Sequence, residues 1–361
     1  VHARIAGLGQ WFPDRVRTNA EWPEAFSAAS RMKQGDRALV DVPSDERDPT
    51  LRIVKRYLAE EEHDPFLGAR ERRVADASMT SAEAEANAGR AALADAGVDP
   101  SEVDAIFSWA LVPDRIMPSN ACRVGDLIGA KRAWSASVDS ACASPITHLN
   151  LAAALIESGR ARTVLLTQSH LCTRTFAMSH PAAPSVGDGA AAMLVTASKV
   201  PGILQTHSMT HGEHHDAVVW CRGRTDETDP PWWEPGGALS MGSRSPDATR
   251  ALMQDTVPTA ARTVAELAQR AGFAVDSIDV LLSVQPRRWV PLAIAEALGL
   301  SPDVATETYR SYAHLGGVGP VVNLIAARDA GKLRDGARVV IYAQGAGFTR
   351  AAAALSWSTS G

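Results

Sequence analysis

Short runs of consecutive apolar residues recur along the chain. Between them lie longer stretches whose apolar residues return every three or four positions. The first pattern reads as buried strands and the second as helices with one apolar face. Residues 3–12 (ARIAGLGQWF) predict a first strand, and Pro13 and Asn19 mark a turn after it. Residues 81–96 predict an alanine-rich helix stopped by Gly97. Residues 133–138 predict a strand. A helix follows with Ile146, Leu149, Leu151, Leu155 and Ile156 on its apolar face, Pro145 in its first turn and Gly159 just past its end. Pro at a helix start and Gly after its stop suit the unpaired backbone groups at each end.

The pattern also repeats. Residues 91–110 (AALADAGVDPSEVDAIFSWA) are echoed by residues 264–285 (VAELAQRAGFAVDSIDVLLSVQ). Each is a helix, a glycine stop, a polar turn, then Val/Ile-Asp and a buried-type strand. Further on, Arg162-Thr-Val-Leu-Leu-Thr-Gln168 matches Arg338-Val-Val-Ile-Tyr-Ala-Gln344. Two halves with one order of strands and helices point to duplication. We expect an α/β protein with halves at 1–198 and 199–361, each a mixed, largely parallel sheet covered by helices. Residues 22–65 break the pattern with charge clusters and a helix-like piece at 51–60, and are expected to be a surface insertion of solvated helix and loops.

Composition narrows the function. At 361 residues the chain can bury a large core, and 45% hydrophobic with 21% charged residues is ordinary globular usage. A net charge of −5 gives no reason to expect nucleic acid or an anionic membrane as partner. No apolar run is long enough to span a bilayer, and no signal peptide is read, so a cytoplasmic setting is expected. The cysteines at 122, 142, 172 and 221 show no CxxC spacing, so no zinc site or disulfide framework is indicated. Residues 206–215 hold several histidines. Three could meet at a metal, but surface histidines on a loop fit better, because no second ligand cluster accompanies them. Residues 220–243 hold Trp220, Trp232 and Trp233 among Gly and Pro, to line an apolar pocket or to cover the core.

One cysteine stands out. In Val138-Asp-Ser-Ala-Cys142-Ala-Ser-Pro145 it falls on a strand-to-helix turn. There, free N–H groups and the helix dipole favour a thiolate, and Ala141 and Ala143 leave the sulfur uncrowded. Two readings stand from these residues alone: a nucleophile, or a buried core thiol, the commoner fate of a lone cysteine.

Further stretches join this one. They are Arg4-Ile-Ala-Gly-Leu-Gly9 with Phe12-Pro13, Glu71-Arg-Arg-Val74, Pro118-Ser-Asn-Ala-Cys-Arg-Val124, Val186-Gly-Asp-Gly-Ala190 and Gln344-Gly-Ala-Gly-Phe348. Taken in order, they resemble the thiolase-like superfamily, and within it the ketoacyl-acyl-carrier-protein synthase III branch. The resemblance implies a duplicated five-layer αβαβα fold, a homodimer and an acyl group carried on Cys142. It also implies a coenzyme A or phosphopantetheine thioester as substrate, donated by acyl-coenzyme A or an acyl-carrier protein, with no bound cofactor or metal.

The resemblance breaks at two places. Members of the branch pair the cysteine with a histidine in Pro-His-Gln-Ala-Asn and an asparagine in Gly-Asn-Thr. Here the first stretch becomes Gln285-Pro286-Arg287-Arg288-Trp289, with Gln285 or Pro286 where the histidine belongs. The second reads Tyr312-Ala-His314-Leu-Gly-Gly317, with His314 at the asparagine position. Decarboxylative condensation needs two donors aimed at the oxygen where enolate charge develops. Gln285 and His314 could supply them in altered form. Plain acyl transfer needs only Cys142 as nucleophile, His314 as base and an acceptor that is small or carrier-bound. The backbone at Cys142 and at Gly345-Ala346-Gly347 would hold the oxyanion. Arg287 and Arg288 suit a carboxylate or the phosphates of the thioester donor, or are a solvated pair. Asp188, between two glycines, is expected to pin the backbone. Acyl transfer in a natural-product pathway is the favoured function. A decarboxylating ketosynthase and a non-catalytic partner subunit are the alternatives.

Overall fold

A computed structural model of the protein describes residues 1–24, 26, 48–61, 63–222 and 239–358. The chain opens with β1 (His2–Trp11), β2 (Val16–Thr18), α1 (Pro49–Glu61), β3 (Glu71–Arg73) and α2 (Ser81–Ala96). Then come β4 (Ala105–Ala110), α3 (Asn120–Ile128), β5 (Trp134–Ser137), α4 (Ser144–Glu157), β6 (Thr163–Leu171) and β7 (Asp188–Ser198). The second series is β8 (Ile203–Thr210), β9 (Val219–Arg222), β10 (Leu239–Gly242), α5 (Pro246–Ala271), β11 (Val280–Ser283) and α6 (Val290–Ala297). It ends with α7 (Tyr309–Tyr312), α8 (Gly319–Asp329), β12 (Arg338–Gly345) and β13 (Thr349–Ser356).

Two sheets carry the architecture. One runs β1-β7-β6-β4-β5 and the other β8-β13-β12-β11, so matching strands hold matching places in each. The place of β5 in the second sheet is marked by a single parallel bridge from Leu281 to Ala305. The β4–β5, β4–β6 and β11–β12 pairs are parallel, and the others in these two sheets are antiparallel. The sheets are therefore more evenly mixed than expected. Each half returns through a final antiparallel hairpin-like pair, which needs no helical crossover.

The strand sequences explain the layers. Side chains alternate across a strand, and here both faces are apolar because both are covered. In β12, Val339 and Ile341 enter the central core while Val340 and Tyr342 enter the outer one. In β6, Val164 and Leu166 face the centre while Leu165 and Leu171 face the other outer layer. Helices α4 and α8 fill the space between the sheets, α2 and α3 cover the first sheet, and α5 and α6 cover the second. The result is five layers, αβαβα.

Local chemistry fixes the helix ends. Thr80 and Glu83 form a reciprocal capping box at the start of α2, and Gly97 closes it at φ 64°. Helix α4 begins with Ser144-Pro145, and Gly159 follows its end at φ 73°. The described part of residues 22–65 corrects the expectation of a solvated insertion. Helix α1 docks on the outer helices of the second sheet, with Val54 buried and Tyr57 stacked on Trp289 at 5.7 Å.

Candidate active site

The turn that follows β5 is shaped by main-chain contacts. Val138 N–H donates to Ser108 O, and His148 on α4 bonds Val138 O from below at 2.9 Å. The Asp139 carboxylate accepts from Ala141 N–H at 2.6 Å and from the Trp109 indole at 2.8 Å. Ala141 sits at φ 50°, a left-handed conformation that a residue with a Cβ adopts at a cost. The strain turns the chain sharply enough to present Cys142 at the head of α4, whose first turn has no side-chain cap. Burial pushes the Cys142 thiol up to about 12, reinforced by the Asp139 charge and outweighing the hydrogen bond from its own N–H. The expectation that the helix start would favour a thiolate is therefore corrected: desolvation dominates and the resting group is a thiol.

Facing it is His314, on the loop after α7. Its Nε2 lies 3.9 Å from Cys142 Sγ, within hydrogen-bond reach for sulfur. Its Nδ1 lies 3.0 Å from the main-chain carbonyl of Gln285. A carbonyl only accepts, so Nδ1 carries the proton and Nε2 presents a lone pair to the thiol. Burial lowers the His314 pKa to about 3, helped by the neighbouring His170. The pair thus rests as thiol and neutral imidazole. The main chain of the same loop is tied to the first sheet's hairpin, with His314 N–H donating to Ser185 O and Gly187 N–H to His314 O.

Gln285 is brought beside His314, but not in the role expected. Its side-chain Nε2 donates to Thr306 O at 2.7 Å and its Oε1 accepts from Thr308 N–H at 3.1 Å. The backbone holds one N–H and the oxygen of the amide, and the main-chain carbonyl of Gln285 orients His314. Val284, one position earlier, belongs to the apolar cluster against which Cys142 packs.

The segment Gly345-Ala346-Gly347 closes the other side. A Cβ on Gly345 would overlap the Ser140 carbonyl oxygen and lie 2.9 Å from Cys142 N, so glycine is what lets β12 reach the nucleophile's turn. Gly347 sits at φ 127°, outside the range of other residues. Asp188 pins the backbone, as expected: it accepts from Ala75 N–H at 2.8 Å, Thr173 N–H at 2.9 Å and Thr173 Oγ1 at 2.6 Å.

The arginine pair divides. Arg287 forms an ion pair with Glu61 of α1 at 2.9 Å, and the Trp289 indole donates to the same carboxylate. The Arg287 side chain is 26% exposed, so it is partly buried against α1 rather than fully solvated. Arg288 rests its stem against Gly68 and stays partly exposed. Trp232 and Trp233 lie outside the described residues. Three of the four histidines at 206–215 are separately engaged: His207 with Glu266, His211 with Glu213 and Arg350, His215 with Asp216. His207 is buried in β8 rather than on a loop.

Sequence reasoning missed His170. It lies in the buried run of β6, and its ring is 5.7 Å from that of His314, edge to face. Two glycines after His314 are the available signal, because Gly316 leaves the space that the His170 ring fills.

The sheet order, the five layers and a cysteine at the head of the buried helix define a thiolase-like protein. The profile of 3-oxoacyl-[acyl-carrier-protein] synthase III matches residues 137–212, and that of its C-terminal part matches residues 268–357. The chain is 27% identical over 354 residues to the β-ketoacyl-[acyl-carrier-protein] synthase III of Bordetella petrii, across 97% of this chain and 96% of that protein. It shares the fold of 3-oxoacyl-[acyl-carrier-protein] synthase III from Aquifex aeolicus VF5, with a TM-score of 0.78, 23% identity, and 98% and 100% of the two chains covered. The priming β-ketosynthase of the R1128 polyketide pathway shares it too, with a TM-score of 0.77, 22% identity, and 99% and 97% covered. These matches support a place for the chain in the thiolase-like, ketoacyl-acyl-carrier-protein synthase III-like family.

Proposed function

We propose that this protein is an acyltransferase that carries the acyl group on Cys142 and passes it to an acceptor without decarboxylative condensation, in a natural-product pathway. The observation that carries the reading is the His314 tautomer. Its Nδ1 proton is held by Gln285 O, so Nε2 meets the reaction as an acceptor of protons. Condensation asks for donors at the enolate oxygen. The usual pair is absent, and the amide of Gln285 is oriented by the backbone of Thr306 and Thr308.

The chemistry then runs in two matched halves. As the Cys142 sulfur attacks the donor thioester carbon, its proton passes to His314 Nε2. The developing oxyanion is held by main-chain N–H groups of Cys142 and of the 345–347 segment. Collapse expels the donor thiolate, which takes the proton from His314. In the second half the acceptor gives its proton to Nε2 and attacks the acyl carbon, and the Cys142 thiolate leaves and is reprotonated. The donor is a coenzyme A or carrier-protein thioester, with Arg288 as the candidate phosphate contact. A cytoplasmic homodimer is part of the proposal: β5 is the outermost strand of its sheet and holds Trp134 at 53% exposure, an open edge for a second copy.

The test is intact mass after incubation with acyl and malonyl thioesters, run beside Cys142→Ala. An adduct that vanishes in the variant, with malonyl retained, supports transfer. Release of carbon dioxide would make the protein a condensing enzyme. No adduct with any thioester would leave a non-catalytic partner subunit.

A further inference from the structure

His170 is not used by the two half-reactions, yet its ring stands against that of His314. It is 1% exposed. Its Nδ1 donates to Gly187 O at 2.8 Å, which fixes the tautomer and leaves a lone pair on Nε2. That Nε2 has no hydrogen-bond partner. A buried acceptor left empty is costly and calls for an explanation. The space around it is specifically cleared. A Cβ on Gly316 would lie 2.6 Å from His170 Cδ2 and 3.1 Å from Nε2, so the residue two places after His314 must be glycine for this ring to stand there.

The two imidazoles therefore offer two lone pairs. Two side-chain amides of the second half each have one N–H committed to the backbone, Gln285 Nε2 to Thr306 O and Asn323 Nδ2 to Ser283 O. A nucleophile with one hydrogen satisfies His314 and leaves His170 empty. A nucleophile with two hydrogens on one atom satisfies both. The two rings are neighbours, edge to face with centroids 5.7 Å apart, so one small substrate group can meet both.

We propose that His170 is a substrate-binding residue whose Nε2 accepts the second N–H of a primary amine acceptor, so that the enzyme makes amides. This rests on the acyl-Cys142 reading. The amine enters as its free base. Its nitrogen forms the bond to the acyl carbon, the carbon–sulfur bond to Cys142 breaks, and one amine proton passes through His314 Nε2 to the departing sulfur. The other stays on nitrogen, held by His170, and the products are the amide and the free Cys142 thiol.

The experiment separates the half-reactions. Cys142 is loaded from an acyl-coenzyme A and followed by intact mass, then discharged with n-butylamine or n-butanol. His170→Asn keeps a donor for Gly187 O and shifts the acceptor away from the Nε2 position, and His170→Phe removes the acceptor while keeping the ring shape. We expect the ratio of butylamine to butanol discharge to fall in both variants, whatever change they share in loading. Discharge to butylamine should fall by on the order of tenfold relative to butanol, the scale expected when one buried hydrogen-bond acceptor is removed. A loss matched for amine and alcohol would make His170 structural and overturn the proposal. So would wild-type behaviour with both acceptors. Selective loss of loading with 3-hydroxyacyl over plain acyl donors would assign the lone pair to the acyl chain instead, which also overturns it. Absence of loading in wild type would instead refute the acyl-Cys142 reading beneath it.

Discussion

The proton on His314 Nδ1 points at the main-chain carbonyl of Gln285, 3.0 Å away. That bond makes the imidazole a base toward Cys142 rather than a donor toward a carbonyl oxygen. His314→Asn restores the residue type usual in the branch, yet it supplies an amide with no basic nitrogen. Both loading of Cys142 and discharge to an acceptor are expected to fall by about 10²–10⁴ in His314→Asn and His314→Ala alike. Single-turnover rates read this directly. Retained transfer in the asparagine variant would remove His314 from the base role.

The resting charge state is equally testable. The Cys142 thiol is raised to about 12 and His314 is lowered to about 3, both mainly by burial. Neither group changes charge between about pH 5 and 9. Alkylation of Cys142 by iodoacetamide should therefore rise about tenfold per pH unit up to pH 10, following the growing thiolate fraction, without levelling off. A plateau below pH 8 would mean a thiolate–imidazolium pair at rest.

Much of this site is legible in the amino-acid sequence alone. The repeat at 91–110 and 264–285 foreshadows two matching sheets, because strand and helix periods are local properties that duplication copies together. Cys142 is visible from small residues on a strand-to-helix turn, and His314 from its place in an ordered set of motifs. Partners distant in sequence and roles of the main chain stay hidden. Gln285 looks like a side-chain donor on paper, but its amide is claimed by Thr306 and Thr308, more than twenty positions away. The Arg287 partner Glu61 lies 226 positions upstream, in a segment that reads as surface. His170 is one polar letter in a buried strand, and no local pattern separates a satisfied core histidine from one with a free lone pair.

Gly345 is predicted to be intolerant of the smallest change. A Cβ there meets the backbone of Ser140 and Cys142 rather than a flexible side chain, so Gly345→Ala must displace the nucleophile's turn or β12. Loss of alignment with the oxyanion donors should lower loading by about 10²–10³. Circular dichroism should stay unchanged, since the sheet register elsewhere is unaffected. Full activity would show that the segment does not touch the nucleophile's turn in solution.

Glu85 offers a stability test away from the chemistry. Ser108 and Thr167 each donate to its carboxylate at 2.6 Å and Ser169 at 3.0 Å, but complete burial pushes its pKa up to about 7 from 4.5. A raised acid binds its proton more tightly in the folded state. Stability is therefore greatest below about pH 4.5, falls as pH rises to about 7, and is level above that. The contribution lost is on the order of 3 kcal/mol at most. Glu85→Gln stays neutral throughout, so its melting temperature relative to wild type should improve between pH 5 and pH 8. An unchanged difference across that range would show that Glu85 does not titrate there.

The two arginines after Gln285 should separate cleanly. Arg287 neutralises Glu61, whose own pKa is raised by burial against the pull of that arginine. Arg287→Ala strands a buried carboxylate and should cost about 3 kcal/mol, read as a lower denaturant midpoint. Its KM for an acyl-coenzyme A should not move, because the side chain is already committed. Glu61→Gln in the same chain should recover part of the stability by removing the orphaned charge. Arg288→Ala should leave stability within about 0.5 kcal/mol, as expected of a partly exposed side chain. If Arg288 meets the donor's phosphates, its KM rises several-fold, and the rise shrinks as salt is added. The opposite pattern, with KM changed in Arg287→Ala and stability changed in Arg288→Ala, would mean that the Glu61 ion pair is not the contact that holds α1 to the second sheet.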